Sequence, residues 1–381
     1  TVYYMEEIPN GEYELKRVGS VEINALFTLS NGQISYVERW NPAFGCFGGE
    51  SEERPIAIGK RSDIEALASS VNAGESYAGI YFVQTADIAL GGSWTAIGTS
   101  DKKFSGNYDG RNFAITGLKI AATAAGQGLF GYVGGVAASE DGTPAVAAAL
   151  RNITVKGAGS TPSDNDSDAG FDITATAGFV GGIAANVTGN TVVSNCRNYA
   201  HVRVTISTGA NGAGNSGGVI GEVGGTDVSI DKCVNYGKIV VYSASNTLVN
   251  NVGGVIGNMS GGSEERPTIV AECYNYGDIS FIGNTGGVAG NVGNGNIQLR
   301  RCGNYGALAA TAGNGRTGGV AGGSSGVIDE CFNLGTVSCS PANGNNTGGI
   351  VGWVGGSAVV SNTYNKGTVT YTAANSGTLV G

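Results

Sequence analysis

Two carboxylates that recur along the chain have the spacing of an acid–base pair. Glu272 and Glu330 occupy the same position in two copies of a repeated phrase, with one copy between them. If the copies stack as coils, the two Cα atoms lie about 9.6 Å apart, which could suit an inverting glycosidase. The intervening copy carries Arg301 at this position, and a guanidinium between two carboxylates neutralises both. We therefore expect a column of ion pairs here and no catalytic pair.

A serine nucleophile is the second chemistry that the residue types allow. Ser216 stands in a Gly-x-Ser-x-Gly phrase, but such a nucleophile needs a histidine partner. His201 is the only histidine, and it lies on the polar phase of a strand-like segment, where we expect it to be exposed. Ser216 also aligns with Thr285 and Thr317, which are ordinary repeat positions. The sequence thus predicts no catalytic residue.

Cysteines could provide soft metal ligands, since five of the seven share one repeat position: Cys196, Cys233, Cys273, Cys302 and Cys331. Structural zinc sites usually pair two cysteines within a few residues, which this chain does not do. Stacked in register, their Cβ atoms would lie too far apart for disulfides. We expect a row of small buried thiols, with no metal or cofactor.

A second metal candidate is the alternation of Asp164, Asp166 and Asp168, which is similar to a calcium loop. The glycine and the final glutamate of such a loop are missing, so a solvated loop is favoured and weak calcium binding stays open.

The elements that would position these residues follow from the repeated phrase: Gly, two aliphatic residues, Gly, a gap, then Cys-x-Asn-Tyr-Gly. Copies begin at Gly128, Gly178, Gly218, Gly254, Gly287, Gly319 and Gly349. Self-similarity of this length indicates a repeat architecture. Two residues after the cysteine column comes an asparagine column, in which we expect each amide to bond the next: Asn198, Asn235, Asn275, Asn304, Asn333 and Asn365.

Spacing within the repeat predicts a corner. The aliphatic residue three before each cysteine and the cysteine itself cannot both face inward on a regular strand, because odd spacing changes the face. We therefore expect about three short strands per repeat, wound into a right-handed parallel β-solenoid of about seven repeats. The glycine that follows the tyrosine, Gly237 for example, is expected to supply a left-handed backbone.

The residue just before each cysteine forms what we call the corner column: Asn195, Lys232, Glu272, Arg301, Glu330 and Asn362. Its charges alternate in sign over the four central members. Stacking in register would make opposite charges neighbours, which favours the correct register more than it adds stability.

The chain divides into three parts on these patterns. Residues 1–58 do not repeat and are expected to be β-rich, with a hairpin at Asn31-Gly32. Residues 59–127 form a lead-in with first strands and a capping helix over 62–73, for which Ser62 and Glu65 predict a capping box. Residues 128–381 form the repeat solenoid.

Composition bounds the partners. Glycine accounts for 68 of 381 residues, hydrophobic residues make up 41% and charged residues only 13%. The net charge of −9 argues against a basic surface that binds nucleic acid. The sequence also has no run of about 18 apolar residues, which is the length needed to span a membrane. The surface must be built mainly from small polar residues and glycine.

The Gly-Leu-Phe-Gly at 128–131 and its later variants resemble the GLUG repeat of bacterial surface proteins. The segment from Trp94 to Leu118 is similar to the lead-in that such proteins carry, so the resemblance covers roughly residues 60–381. It implies a secreted or surface-anchored, adhesin-like protein, notably of gut Bacteroidetes, and it supplies no catalytic residues. Departures include Thr363 in place of cysteine and Thr378 in place of the first glycine.

We expect an extracellular, non-catalytic scaffold that binds a glycan or protein on a host or neighbouring cell. Exposed aromatic residues are the candidate contacts: Tyr276, Tyr305, Trp353 and Tyr364. Two alternatives stay open, a carbohydrate-active β-helix enzyme and a passive structural stalk. Clustering of charges in one groove would favour the enzyme, and their spreading as a ladder would favour the scaffold.

Overall fold

The structure is a computed structural model that describes residues 3–8, 12–17, 23–30, 33–138, 144–159, 170–176, 178–206, 214–243, 251–310, 315–339, 346–371 and 376–377. Side chains are described from residue 40 onward within these ranges, except at 206, 243, 376 and 377. The calcium-like alternation at Asp164, Asp166 and Asp168 lies outside the described residues, so its role stays a prediction.

The N-terminal part is an antiparallel sheet whose five strands follow one another in chain order: Tyr3–Ile8, Glu12–Arg17, Ile23–Ser30, Gln33–Asn41 and Cys46–Phe47. Ser30 pairs with Gln33, which confirms the hairpin predicted at Asn31-Gly32. A two-residue connection suits Asn-Gly because both residues tolerate positive φ.

The helix spans Arg61–Ala73 and buries Ile64, Leu67, Ala68 and Val71, the face that the sequence predicts. Its start differs from the prediction. Lys60 is the N-cap, and the Asp63 carboxylate accepts hydrogen bonds from the backbone N–H groups of Gly59 and Lys60. An acid three residues into the helix can satisfy those donors without a serine cap. Glu65 pairs with Arg61 instead, Nε to Oε1 2.7 Å.

The rest of the described chain is an all-β stack of parallel strands in five sheets, which we number in their order along one coil. Sheet 1 contains Val180–Gly181, Asn215–Gly217, Asn251–Gly253, Asn284–Gly286, Arg316–Gly318, Asn346–Gly348 and Ser376–Gly377. Sheet 2 contains Phe130–Gly134, Ala184–Thr188, Ile220–Gly224, Ile256–Met259, Ala289–Val292, Ala321–Ser324 and Val351–Val354.

The other three sheets extend further toward the N-terminus. Sheet 3 contains Ile56–Ile58, Tyr81–Gln84, Asn107–Asp109, Ala148–Arg151, Thr191–Ser194, Val228–Asp231, Thr268–Ala271, Ile297–Arg300, Val327–Asp329 and Val359–Ser361. Sheet 4 contains Ile88–Ala89, Ala114–Leu118, Thr154–Gly157, Arg197–Asn198, Val234–Asn235, Tyr274–Asn275, Gly303–Asn304, Phe332–Asn333 and Tyr364–Asn365. Sheet 5 contains Ile120–Ala122, Ile173–Ala175, Val202–Ile206, Ile239–Ser243, Ile279–Phe281, Leu308–Ala310, Val337–Cys339 and Val369–Tyr371.

A parallel β-solenoid is therefore the fold, as the sequence predicts, but a full coil has five strands where we expected about three. Parallel stacking begins at Ile56–Ile58, well upstream of the first Gly-aliphatic-aliphatic-Gly phrase. Inward-facing side chains of all five sheets form one continuous core, with the helix packed at its N-terminal end. Each fully buried Val or Ile side chain stabilises this core by roughly 1.5–3 kcal/mol.

The predicted corner lies at the corner column. Lys232, Glu272, Arg301 and Glu330 adopt φ between 52° and 54°, and Asn195 and Asn362 are close to them at 51° and 50°. The left-handed residue is therefore the one before each cysteine, and the expectation for Gly237 was wrong. Gly237 is required for another reason: a Cβ atom there would lie 2.0 Å from the carbonyl oxygen of Ala200 in the preceding coil. No helix in the described part of the chain is long and apolar enough to cross a membrane.

Candidate binding surface

The corner column carries the two carboxylates considered above. Arg301 lies between them, with Nη2 3.3 Å from Glu272 Oε1 and Nη1 3.5 Å from Glu330 Oε2. Lys232 pairs within its own coil, Nζ to Asp231 Oδ2 3.8 Å. All these groups are at least partly exposed, so the pairs contribute little to stability. The charges form a ladder along the corner, and the two glutamates are held by the cation between them.

The five aligned cysteines form a buried row with free thiols. Each thiol donates to main-chain carbonyl groups; Cys233 Sγ, for example, lies 3.4 Å from Asp231 O and 3.7 Å from Val193 O. Burial raises the pKa of Cys196 and of Cys273, which keeps these thiols uncharged. No group of three or more potential metal-ligating His, Cys, Asp or Glu side chains occurs among the described residues. The thiols pack as small apolar side chains.

Six asparagines form a hydrogen-bonded ladder beside the cysteine row. Each Nδ2 donates to the Oδ1 of the asparagine in the next coil at 2.7–2.9 Å, from Asn198 through to Asn365. Each amide also closes a local turn with the residue two positions on; Asn275 Oδ1 accepts from Gly277 N–H at 3.2 Å, and Nδ2 donates to Gly277 O at 2.8 Å. The ladder satisfies polar groups that are buried in the core, so its role is structural.

His201 is half-buried, so the expectation of an exposed residue was wrong. The imidazole Nδ1 accepts a hydrogen bond from the Lys238 backbone N–H at 2.9 Å, and the backbone N–H of His201 donates to Asp172 Oδ2 at 2.8 Å. Burial lowers the pKa of the imidazole, although nearby Asp172 opposes this. Ser216 is fully buried within sheet 1. Its hydroxyl is therefore not presented to a substrate, as an ordinary repeat position predicts.

An exposed line of aromatic rings runs along sheet 4, and we call it the aromatic strip. Tyr199, Tyr236, Tyr276 and Tyr305 stack nearly parallel, with ring centroids 4.5, 5.1 and 4.4 Å apart. Tyr305 then meets the Phe332 ring edge-on at 5.4 Å. Because the rings cover each other's faces, they present edges and hydroxyl groups to solvent. Tyr276 remains 44% exposed in spite of the stacking.

The strip ends at Tyr364, whose ring stacks on Phe332 at 5.6 Å. The Phe332 ring packs against Gly303 of the preceding coil, where a Cβ atom would lie 2.2 Å from the ring. Glycine at position 303 therefore leaves the space that the ring occupies. Three of the four predicted contact residues, Tyr276, Tyr305 and Tyr364, thus belong to one surface. Trp353 lies elsewhere, on sheet 2.

Trp353 lies in the last described coil of a second region, which we call the amide seam, where the outward sides of sheets 1 and 2 meet and where Asn186 and Asn215 are buried. The sheet 1 side carries Asn215, Asn251, Asn284, Arg316 and Asn346. The sheet 2 side carries, in register, Tyr132, Asn186, Glu222, Asn258, Asn291, Gly323 and Trp353. Asn215 Nδ2 donates to Glu222 Oε2, which shows that the two columns are in contact.

The close approach of the two sheets explains the second glycine of the repeated phrase. A Cβ atom on Gly257 would lie 2.6 Å from the backbone nitrogen of Ser216, which belongs to sheet 1 of the preceding coil. Gly290 is equivalent and would place its Cβ atom 2.5 Å from Val252 N. Only glycine permits two backbones to pack this closely. The Gly-aliphatic-aliphatic-Gly phrase is therefore the sequence signal of the seam.

Amide groups along the seam bond from coil to coil on both sides. On sheet 2, Asn291 Nδ2 donates to Asn258 Oδ1 at 2.9 Å, and Asn258 Nδ2 donates to both Glu222 oxygens at 3.1 Å. On sheet 1, Asn251 Nδ2 donates to Asn215 Oδ1 at 2.9 Å. Burial raises the pKa of Glu222, while the surrounding amides and Ser260 oppose the shift. Its carboxylate is therefore partly withdrawn from water and oriented by at least two amides.

Aromatic side chains stand in the first and in the last described coil of the sheet 2 column. The Arg316 guanidinium lies over the Trp353 ring, Cζ 3.8 Å from the ring centroid, in the gap left by Gly323. At the opposite end, Tyr132 lines a surface cavity of about 550 Å³ together with Gln127 and Ser100. The seam is thus a polar strip flanked by aromatic rings.

Sequence reasoning found Trp353 and missed the seam around it. A signal was present: an asparagine or glutamate directly follows the phrase at Glu222, Asn258 and Asn291, and an asparagine stands three residues before the phrase at Asn215, Asn251 and Asn284. What could not be read was that the two columns touch, because this depends on the angle between the two sheets.

Comparison with known proteins provides only distant structural likeness. No family model matches the chain, and a search among curated proteins found no match. One similar solved structure is described as a candidate immunoglobulin A1 protease from Bacteroides ovatus, with 18% identity, a TM-score of 0.43, and coverage of 69% of this chain and 79% of that one. Another is named IgA1 protease, with 14% identity and a TM-score of 0.48. That match covers 97% of this chain and 25% of that one.

Proposed function

We propose that the chain is an extracellular, adhesin-like surface protein whose solenoid binds a glycan or protein on a host or neighbouring cell without turning it over. The observation that supports this most is the aromatic strip. Tyr199, Tyr236, Tyr276 and Tyr305 are each about 40% exposed in one continuous line, and Tyr364 extends it. Contiguous exposed rings on a folded protein mark interaction surfaces, and tyrosine combines an apolar body with a polar tip.

Energetics favour contact through this strip. The rings are already ordered by stacking, so a partner that covers them has little side-chain entropy to remove. A scaffold with only 13% charged residues also presents few strongly hydrated groups that binding would have to strip of water.

The arrangement of charges supports a binding role over an enzymatic one. Glu272 and Glu330 share the Arg301 guanidinium on an exposed corner and do not face each other across a cleft. Charges spread as a ladder are what the scaffold hypothesis expects.

Screening the purified chain on glycan and extracellular-matrix protein arrays tests the proposal. We expect at least one ligand, and we expect the double variant Tyr236→Ala/Tyr276→Ala to weaken its binding by about tenfold or more, because removing anchoring aromatic residues costs over 1 kcal/mol each. Tyr242→Ala is the matched control, since Tyr242 is similarly exposed, 38%, but lies on sheet 5.

Incubation of the same preparation with the glycans of the array, followed by chromatography of the products, completes the test. Cleavage of a polysaccharide would overturn the non-catalytic role. Absence of both binding and cleavage would leave a passive stalk and would also overturn the proposal.

A further inference from the structure

We propose that the amide seam binds the chain of a neutral oligosaccharide laid along the stacking axis of the solenoid. This inference goes beyond the proposed function: the aromatic strip contacts the partner proposed above, and the seam is a second, separate site that takes a glycan.

Hydrogen-bonding capacity comes from the amides. A primary amide has two N–H donors and an oxygen with two acceptor sites. The contacts from coil to coil use one donor and one acceptor site of an amide such as Asn251, so this side chain retains groups of both kinds. Sugar hydroxyl groups need both a donor and an acceptor, and oriented amides supply both in the neighbouring coils of Asn251 and Asn284.

Preorganisation makes this capacity useful. Asn258 and Asn291 are fixed by bonds at 2.9–3.1 Å, and Glu222 is held by amides from both sides of the seam. A ligand therefore meets side chains that have already lost their rotamer freedom, which lowers the entropic cost of binding. A free asparagine on an open surface would not offer this advantage.

The aromatic rings of Tyr132 and Trp353 suit the apolar faces of sugar rings. Trp353 is half-buried and held by Arg316, whose guanidinium lies 3.8 Å from the ring centroid. Tyr132 stands at the other end, beside a cavity of about 550 Å³. Binding sites commonly combine a few placed polar groups with apolar walls, and cavities of this size accept small ligands.

Length also matches an extended glycan. From Tyr132 to Trp353 the sheet 2 column rises through six coil steps, which amounts to about 29 Å at the strand spacing of a β-sheet. One hexose unit of an extended chain is close in length to one coil, so two neighbouring sugars can meet the equivalent amides of Asn258 and Asn291. A peptide strand lacks this match, because both neighbours of each inner strand are already paired and no free sheet edge is offered within the seam.

Charge decides between neutral and acidic glycans. The seam has one carboxylate, Glu222, near its middle and one guanidinium, Arg316, near one end. The whole chain has a net charge of −9, which repels polyanions at a distance. A polyuronate or sulfated chain would bring its charges onto Glu222, so a neutral chain is the better ligand.

Isothermal titration of the intact chain with cellohexaose, mannohexaose, laminarihexaose and maltohexaose tests the inference. We expect at least one of them to bind, and an acidic hexagalacturonate to bind at least tenfold more weakly. Asn258→Ala/Asn291→Ala should weaken the neutral ligand by about tenfold or more, since two oriented amides are lost. Trp353→Ala, near the C-terminal end of the stack, should also weaken it by about tenfold.

Gln298→Ala is the matched control, because Gln298 is an outward residue of sheet 3, and it should leave binding unchanged. Circular dichroism of each variant shows whether it has kept its fold, and Trp353→Ala alone suffices if the double variant does not fold. Failure of all four hexasaccharides to bind, or unchanged binding by Trp353→Ala, would overturn the seam inference. Loss of binding in Tyr236→Ala/Tyr276→Ala alone would also overturn it while leaving the proposed function intact.

Discussion

Asn275 is the position where the structure makes the sharpest energetic prediction. Its side chain is fully buried in the middle of the asparagine ladder and takes part in four hydrogen bonds. It donates to Asn304 and to Gly277 O, both at 2.8 Å, and it accepts from Asn235 at 2.9 Å and from Gly277 N–H at 3.2 Å. Asn275→Ala removes all four and leaves their partners inside the core.

The expected cost follows from this count. Each buried hydrogen bond contributes about 1 kcal/mol net, so the loss of four lowers the free energy of unfolding by about 4 kcal/mol. Asn365→Ala is the matched comparison. Asn365 lies in the last coil that the structure describes, is only half-buried there, and has one ladder neighbour among the described residues, Asn333. Water can replace its bonds, so we expect a cost of about 1 kcal/mol.

Urea unfolding followed by far-ultraviolet circular dichroism measures both costs, provided that the two variants keep the same m-value. Long repeat arrays need not unfold in one step, so native-state hydrogen exchange at the Gly277 amide should accompany it. Equal costs for the two variants, or a cost below 1 kcal/mol for Asn275→Ala, would refute the view that the ladder stabilises the stack through its buried amides.

Three further predictions concern single positions. Gly277→Ala should destabilise the chain by several kcal/mol in the same urea assay, because the added Cβ atom would lie 2.0 Å from a carbonyl oxygen of the preceding coil. Gly356→Ala is the control and should be nearly neutral, because a Cβ atom added there would have no neighbouring atom within 4 Å. Lys232→Asn should raise the free energy of unfolding by about 1 kcal/mol, since φ is 52° at this exposed corner and asparagine tolerates that conformation better; an unchanged midpoint would contradict this. The neutral His201 ring accepts a hydrogen bond from the Lys238 N–H, and burial lowers the pKa of the ring in the folded protein. The contribution of this ring to the free energy of unfolding is therefore complete above about pH 6.5, the ordinary pKa of histidine. That contribution is lost as the pH falls from there through the lowered pKa of the folded state. The wild type should therefore lose more stability than His201→Gln between about pH 7 and pH 5, and parallel pH profiles of the two proteins would contradict this.

Column positions were predictable because stacking in register repeats the same environment at each coil. Cys233 and Cys273, or Asn235 and Asn275, are matched letters in the sequence and matched partners in the structure. The hairpin at Asn31-Gly32 and the buried face of the helix were predictable for a related reason, since both depend on a few neighbouring residues.

The strand count failed where segments are too short to carry a periodic signal. Val234–Asn235 has two residues, and Asn251–Gly253 ends in glycine, so neither shows alternation. The left-handed corner was misplaced because Lys232 and Glu272 are side chains that rarely adopt positive φ. Stacking of the surrounding coils imposes that conformation, and the local sequence carries no preference from which the left-handed backbone could be predicted.

By itself, the sequence determined which residues share a column, and therefore the parallel stacking, the thiol row and the asparagine ladder, because identical environments select identical residues. The tertiary structure alone decided which columns touch. Asn215 and Glu222 meet across a turn of adjacent sheets, and the tyrosine rings stack face to face, only because the five sheets pack at particular angles around the core. Those angles arise from the packing of whole coils, to which every inward side chain contributes.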